Sequence, residues 1–195
     1  MEIRSQGPLQ KRVSRLCFGA LTMGPLQCNL GEAEGASLLD YARGQGINVI
    51  DTADLYGNYP QIRLHLQKYP DTMVITKCHA FDRAGAQKSL EFALNALGRD
   101  YIDILLLHEQ ESELTLAGHG KALDWFCEQK RLGRIGSIGL STHFIRAARA
   151  AAEHPQIDVI EAICNRNGLG IVDGTQQQME ICLQAAHDNG KFIVA

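Results

Sequence analysis

Strand-like and helix-like segments alternate along almost the whole chain, and this alternation restricts the possible folds more than any other feature. Short apolar runs predict seven strands, and the segments between them repeat apolar side chains at helical spacing. The predicted strands cover residues 16–22, 49–50, 74–75, 102–107, 135–140, 159–163 and 192–195. The predicted helices cover residues 32–43, 62–69, 84–97, 121–132, 144–153 and 175–189.

Such β-α order favours parallel strands joined by right-handed crossovers. The run Ile102–Leu107 is almost continuously apolar, as in a strand buried on both faces. No GxGxxG follows the first strand and no GxxxxGK[ST] occurs, which disfavours a Rossmann or P-loop fold. We therefore predict an α/β fold, an incomplete (β/α)8 TIM barrel with about seven units and the eighth missing. A barrel usually needs at least ~200 residues, so we expect one domain over residues 1–195, truncated at its C-terminus.

The composition of the chain limits the binding partners and the cellular compartment that we expect for it. The net charge is -3, which gives no electrostatic support for binding nucleic acid or an anionic membrane surface. No run approaches the ~18 apolar residues of a membrane helix, and residues 1–6 lack the apolar stretch of a signal peptide. The six cysteines form no CxxC pair, so reduced thiols in a cytoplasmic protein are expected.

Polar residues stand at the ends of three successive predicted strands. Asp51, with Tyr56 just beyond it, follows the second strand, Lys77 the third and His108 the fourth. A parallel barrel gathers functional groups at the carboxyl ends of its strands. A carboxylate, a phenol, an ammonium and an imidazole gathered there indicate proton transfer to or from a carbonyl compound.

Structural interpretations of the same residues stay open at this point. Asp51 could cap a turn, Tyr56 could cover the barrel mouth, Lys77 could reach the surface along its aliphatic stem, and His108 could be a hydrogen-bonded structural residue. No metal site is expected, although two further histidines could join Asp51 and His108 in one. Those two are His79 and His143.

Five segments together resemble the aldo-keto reductase family. They are RLCFGALTMG (15–24), GINVIDTADLYG (46–57), ITK (75–77), DYIDILLLH (100–108) and GRIGSIGLS (133–141). Each motif alone is weak evidence, but their order and spacing match the family from about residue 12 to the end of the chain.

The resemblance implies an NAD(P)H-dependent enzyme that reduces a small-molecule aldehyde or ketone to an alcohol. Tyr56 would protonate the carbonyl oxygen, and in the reverse reaction it would act as the base. Lys77 would lower the pKa of Tyr56, since an ammonium stabilises a phenolate. Asp51 would hold Lys77, and His108 would orient the substrate oxygen and share its proton.

The resemblance also implies cofactor contacts. Thr22 and Met23 would lie near the nicotinamide, and Ser141 and Asn165 match family positions. Glu161 stands where the family usually has a glutamine. NADP(H) is favoured over NAD(H), although the family's residues that stack on the nicotinamide and bind the 2'-phosphate would lie beyond Ala195. The loops after strands four and six, residues 109–117 and 166–174, are polar or glycine-rich, which favours a small polar carbonyl substrate.

A second hypothesis comes from a different class of protein. The chain could be a non-catalytic barrel remnant that acts as a binding module. An open barrel leaves its first and seventh strands with unpaired edges, which invite association. Self-association through these edges, such as dimerisation, is therefore possible under either hypothesis.

Overall fold

The computed structural model describes residues 3–4 and 11–195 and contains two sheets surrounded by helices. The strands are β1 (Ile3–Arg4), β2 (Val13–Ser14), β3 (Phe18–Gly19), β4 (Val49–Asp51), β5 (Met73–Cys78), β6 (Ile102–Leu107), β7 (Ile135–Thr142), β8 (Val159–Ala162) and β9 (Phe192–Val194). The α-helices are α1 (Glu32–Gly44), α2 (Tyr59–Lys68), α3 (Arg83–Leu97), α4 (Glu113–Gly118), α5 (Gly120–Arg131), α6 (Ile145–Glu153) and α7 (Gln176–Asp188). Two short 3-10 helices, Ala20–Met23 and Asp54–Tyr56, follow β3 and β4.

Strands β3 to β9 form one parallel sheet in which every strand pairs with its neighbours in the sequence. The sheet curls into an incomplete barrel, which confirms the predicted fold class. Within the described residues, β3 and β9 each pair on one side only. The sheet is therefore open between its first and last strands.

The two faces of the sheet bury separate apolar clusters. On β6, Ile104 and Leu106 belong to an inner cluster that fills the curl, while Leu105 and Leu107 pack with the surrounding helices. This alternation follows from the two-residue period of a strand. Burial on both faces explains why β6 is apolar throughout.

Three local features differ from the sequence prediction. Residues 1–15 were not expected to form strands, yet β1 and β2 make an antiparallel pair, and Val13 of β2 packs in the inner cluster. The first barrel strand was predicted over residues 16–22, but β3 ends at Gly19 and a 3-10 helix follows. The segment 109–117 was predicted as a loop, but α4 begins within it at a capping box between Ser112 and Thr115.

None of the described helices combines the length and the apolar character that crossing a membrane requires.

Candidate active site

The four predicted catalytic side chains lie at one end of the parallel sheet. Asp51 is the last residue of β4, Lys77 is the fifth of six residues in β5, and His108 directly follows β6. Tyr56 ends the 3-10 helix that follows β4. Because β4, β5 and β6 are parallel neighbours, their carboxyl ends bring these residues together.

The loop that carries Tyr56 is fixed by buried hydrogen bonds. Thr52 donates to Asn58 Oδ1 at 2.6 Å, and Asn58 Nδ2 donates to the carbonyl of Ala20 at 2.7 Å. Gly57 has a φ of 65°, a left-handed conformation that glycine adopts without steric cost. These constraints hold Tyr56 above the end of β5.

Lys77 is the centre of the site. It is 1% exposed, its Nζ donates to Asp51 and to the Thr52 carbonyl at 3.0 Å, and it forms an ion pair with Glu161 Oε1 at 3.1 Å. Burial alone lowers the pKa of Lys77, but the combined charges of Asp51, Glu161 and Tyr56 outweigh burial and raise it. The side chain is therefore a fixed, buried ammonium.

Tyr56 lies beside this ammonium. Lys77 Nζ is 5.5 Å from the centroid of the Tyr56 ring. The pKa of Tyr56 is nevertheless raised, mainly by burial, and Lys77 only partly offsets the effect of burial and of the nearby carboxylates. The expected lowering of this pKa is thus wrong in its net direction, because burial and three carboxylates outweigh one ammonium. Tyr56 carries its proton at neutral pH.

His108 is neutral at neutral pH. Burial, followed by the charges of Lys77, His79 and His143, lowers its pKa to about 3. Its ring lies 5.8 Å from that of Tyr56 in an edge-to-face arrangement, and its buried Nδ1 has no hydrogen-bond partner. A neutral imidazole can orient a substrate oxygen by a hydrogen bond. It carries no extra proton at neutral pH, and the sharing of its remaining N–H proton with the substrate, which the resemblance implies, stays a prediction.

A cavity of about 600 Å³ opens above these residues. Its wall includes Asp51, Tyr56 and His108, whereas Lys77 lies beneath the wall. The other polar or ionisable wall residues are Cys17, Glu109, Ser141, Thr142, His143 and Glu161. Apolar side chains complete it, among them Leu21, Leu26, Leu55 and Ile163.

The structure brings two of the five predicted cofactor contacts to this cavity. Ser141 and Glu161 line it, whereas Thr22, Met23 and Asn165 do not. Met23 is fully buried in the core because the 3-10 helix turns it inward. Asn165 is exposed and holds its own loop, with its Nδ2 donating to the carbonyl of Leu169 at 2.7 Å.

The two residues that do line the cavity can fit a nicotinamide. Glu161 Oε2 is buried without a hydrogen-bond partner, and a carboxamide could satisfy it, through its C=O when Glu161 is protonated and through its NH2 when Glu161 is ionised. The hydroxyl of Ser141 accepts from the Glu109 backbone N–H at 2.9 Å and keeps its own proton to donate.

The sequence prediction gave no site role to several residues of the cavity wall, among them Cys17 and Glu109. Glu109 directly follows His108, and its place at the end of the same strand could have identified it. Cys17 precedes the first strand and carries no comparable signal. Among the described residues, no three or more His, Cys, Asp or Glu side chains are placed to hold a metal ion.

Glu161 should give the stability of the protein an unusual pH dependence. Burial, with the charge of Asp51, raises its pKa from 4.5 to about 8. Between these values the folded state binds more protons than the unfolded state, so this residue lowers the free energy of unfolding as pH rises. His108 acts in the opposite direction, but only between about 3 and 6.5.

We therefore expect the Glu161→Gln variant to gain stability relative to the native protein as pH rises from 6.5 to 8. The relative gain should be about 2 kcal/mol, at 1.36 kcal/mol for each pH unit. Urea denaturation at a series of pH values measures it, with the exposed Glu111→Gln as the control. An equal pH dependence in all three proteins would contradict the raised pKa.

The chain resembles known proteins in both its sequence and its structure. The Aldo/keto reductase family model matches residues 15–195. L-galactose dehydrogenase of Arabidopsis thaliana is 27% identical over 191 residues, which cover 90% of this chain and 59% of that protein. The chain thus spans about three-fifths of the length of this relative.

Solved structures show the same fold. A crystal structure from Pseudomonas aeruginosa, of a protein assigned to the aldo-keto reductases, is 25% identical with a TM-score of 0.82. The match covers 98% of this chain and 76% of that one. An aldo-keto reductase of Bombyx mori in complex with NADP is 19% identical with a TM-score of 0.73, covering 98% of this chain and 66% of that one.

Proposed function

This chain belongs to the aldo/keto reductase family, and we propose that it reduces an aldehyde or ketone to an alcohol with a nicotinamide cofactor. The observation that carries the proposal is the position of Lys77. It is a buried ammonium held by Asp51 and Glu161, and it lies beside the ring of a protonated Tyr56 on a cavity wall.

In the proposed reaction, each of the four side chains has a separate role. The bound cofactor supplies the hydride that reaches the carbonyl carbon. Tyr56 donates its proton to the carbonyl oxygen, and Lys77 stabilises the phenolate that remains. Asp51 holds Lys77 in place. His108, as a neutral imidazole, orients the carbonyl oxygen by a hydrogen bond.

Tyr56 is protonated at neutral pH, which is the state that reduction requires. A phenol that keeps its proton is ready to act as an acid, whereas alcohol oxidation requires the phenolate as a base. The pKa of Tyr56 lies above its ordinary value of 10.0, so neutral pH favours the acid. Oxidation should become faster relative to reduction as pH rises.

We propose NADP(H) rather than NAD(H) as the cofactor, since the Bombyx mori structure of the same fold is in complex with NADP. Ser141 and Glu161 would hold the nicotinamide. We also place the protein in the cytoplasm, a proposal that its six free cysteine thiols support.

Titration with NADPH and NADH, followed by nicotinamide fluorescence, tests the cofactor proposal. We expect saturable binding of both, with the lower Kd for NADPH. The single tryptophan, Trp125, lies on α5 outside the cavity wall, so its emission serves as a check that the protein stays folded. Absence of binding by the folded chain would contradict the proposal and favour the non-catalytic alternative.

The open sheet supports self-association as a second proposal. Within the described residues, β3 and β9 each have one edge that pairs with no other strand. Exposed edges pair readily with other strands. We expect a concentration-dependent dimer in sedimentation velocity experiments, and a monomer at all concentrations would contradict this.

A further inference from the structure

Carboxylates dominate the charge of the cavity wall. Asp51, Glu109 and Glu161 line it, and within the described part of the chain its wall contains no lysine or arginine. The ammonium of Lys77 lies beneath the wall and is already bound to Asp51 and Glu161. Lys77 therefore offsets the charge of Asp51, and no described lysine or arginine on the wall offsets that of Glu109.

Glu109 is the most accessible of these carboxylates. Its side chain is 61% exposed, whereas those of Asp51 and Glu161 are 19% and 20% exposed and contact Lys77. At neutral pH the buried Glu161 is largely protonated, because burial raises its pKa to about 8. Glu109 is thus the wall residue whose negative charge is least compensated.

The backbone of Glu109 is held in an uncommon conformation. Its φ is 51°, in the left-handed region that non-glycine residues rarely adopt. Strand β7 fixes this turn, since the Glu109 N–H donates to Ser141 Oγ at 2.9 Å and the Gln110 N–H donates to the Ser141 carbonyl at 2.8 Å. Such strain persists where the surrounding structure imposes it, often at functional sites.

The closest ionisable neighbour of Glu109 is His79. Glu109 Oε2 is 3.6 Å from Nε2 of His79, which is 49% exposed. The ring of His79 lies 4.6 Å from that of His108, which is neutral at neutral pH. The Glu109 carboxylate therefore lies at the cavity wall next to His108, the residue that is proposed to orient the carbonyl oxygen.

On the basis of the proposed function, we propose that Glu109 is a specificity-determining residue. It makes the site select neutral or cationic carbonyl compounds over those that carry a carboxylate. A substrate carboxylate near Glu109 would be repelled by its like charge, an effect that solvent reduces because the Glu109 side chain is 61% exposed. Neutral hydroxyl groups or a cation would instead interact favourably with it.

Three para-substituted benzaldehydes test this selection at neutral pH with NADPH. They carry a carboxylate, a hydroxymethyl group or a trimethylammonium group. Dividing kcat/KM of the Glu109→Gln variant by that of the native protein removes the intrinsic reactivity of each aldehyde. We expect this ratio to be on the order of 10 for the acid, near 1 for the alcohol and well below 1 for the cation.

The Glu111→Gln variant is the matched control, because Glu111 is exposed in the same loop and does not line the cavity. Its ratio should be near 1 for all three aldehydes. Equal ratios for all three aldehydes in the Glu109→Gln variant would overturn the inference.

A binding measurement without cofactor separates this inference from the proposed function. The corresponding alcohols, 4-(hydroxymethyl)benzoate and 1,4-benzenedimethanol, are titrated into the protein and followed by NMR chemical shifts. Tighter binding of the dimethanol than of the benzoate by the native protein, with no such difference in Glu109→Gln, supports the inference even if no aldehyde is reduced. Failure of the dimethanol to bind, or equal affinity for both alcohols, overturns it even if aldehydes are reduced.

Discussion

Replacing Tyr56 by phenylalanine is expected to lower kcat/KM for aldehyde reduction by about 10² or more, the scale of a lost general acid. The change removes only the hydroxyl group. It keeps the ring that lies edge-to-face with His108 and 5.5 Å from Lys77 Nζ. Steady-state consumption of NADPH with a neutral aldehyde measures the effect.

The control for this variant is Tyr41→Phe, which makes the same change at a tyrosine that is 68% exposed on α1. We expect full activity from the control. The Kd for NADPH of Tyr56→Phe should stay close to that of the native protein, because the proton donor acts on the substrate. Unchanged turnover by Tyr56→Phe would refute its role.

Replacing Lys77 by methionine is expected to remove activity and to destabilise the protein. The ammonium is 1% exposed and contacts Asp51 and Glu161, so its removal leaves the negative charge of Asp51 without a partner. Breaking a buried ion pair in this way costs about 3–5 kcal/mol. Urea denaturation measures the loss of stability, and NADPH consumption measures the loss of activity.

A second substitution separates the two effects of Lys77→Met. The double variant Lys77→Met/Asp51→Asn also removes the carboxylate that Lys77 neutralised, so we expect it to regain part of the stability and none of the activity. The exposed Lys88→Met, on α3, is the control for loss of a lysine charge. Full activity in the double variant would show that Lys77 is structural only.

The amino-acid sequence predicted the parallel sheet, and it predicted the carboxyl ends of the strands closely. A strongly apolar run such as Ile102–Leu107 predicts a strand reliably, because such a run is typical of a strand that is buried on both faces of a parallel sheet. The positions of Asp51, Lys77 and His108 follow from the same pattern, since parallel neighbours align their carboxyl ends.

The sequence was less informative where tertiary contacts decide the local structure. Met23 was expected beside the nicotinamide, but the 3-10 helix Ala20–Met23 turns it into the core. The short helix α4 lies in a polar segment without an apolar period, and its capping box uses Thr115 instead of the usual glutamate or glutamine. The strands β1 and β2 are two residues each, too short to give a pattern.

The electrostatic state of the site could not be derived from residue types. An ammonium beside a phenol predicts a lowered pKa for the phenol, yet burial and three carboxylates raise the pKa of Tyr56. Glu161 was expected to contact the cofactor, and in the structure it also contacts Lys77 at 3.1 Å. Such balances depend on distances and burial that no sequence pattern contains.

Transfer of deuterium from labelled cofactor to substrate tests the central claim most directly. The purified chain is mixed with NADPH in which both hydrogens at C4 of the nicotinamide ring are replaced by deuterium and with a neutral aldehyde, and the alcohol is analysed by mass spectrometry. We predict a deuterated alcohol from the native protein and at least about 10² times less from Tyr56→Phe in the same time. No deuterated alcohol from the folded native chain, or equal amounts from both proteins, would contradict the account.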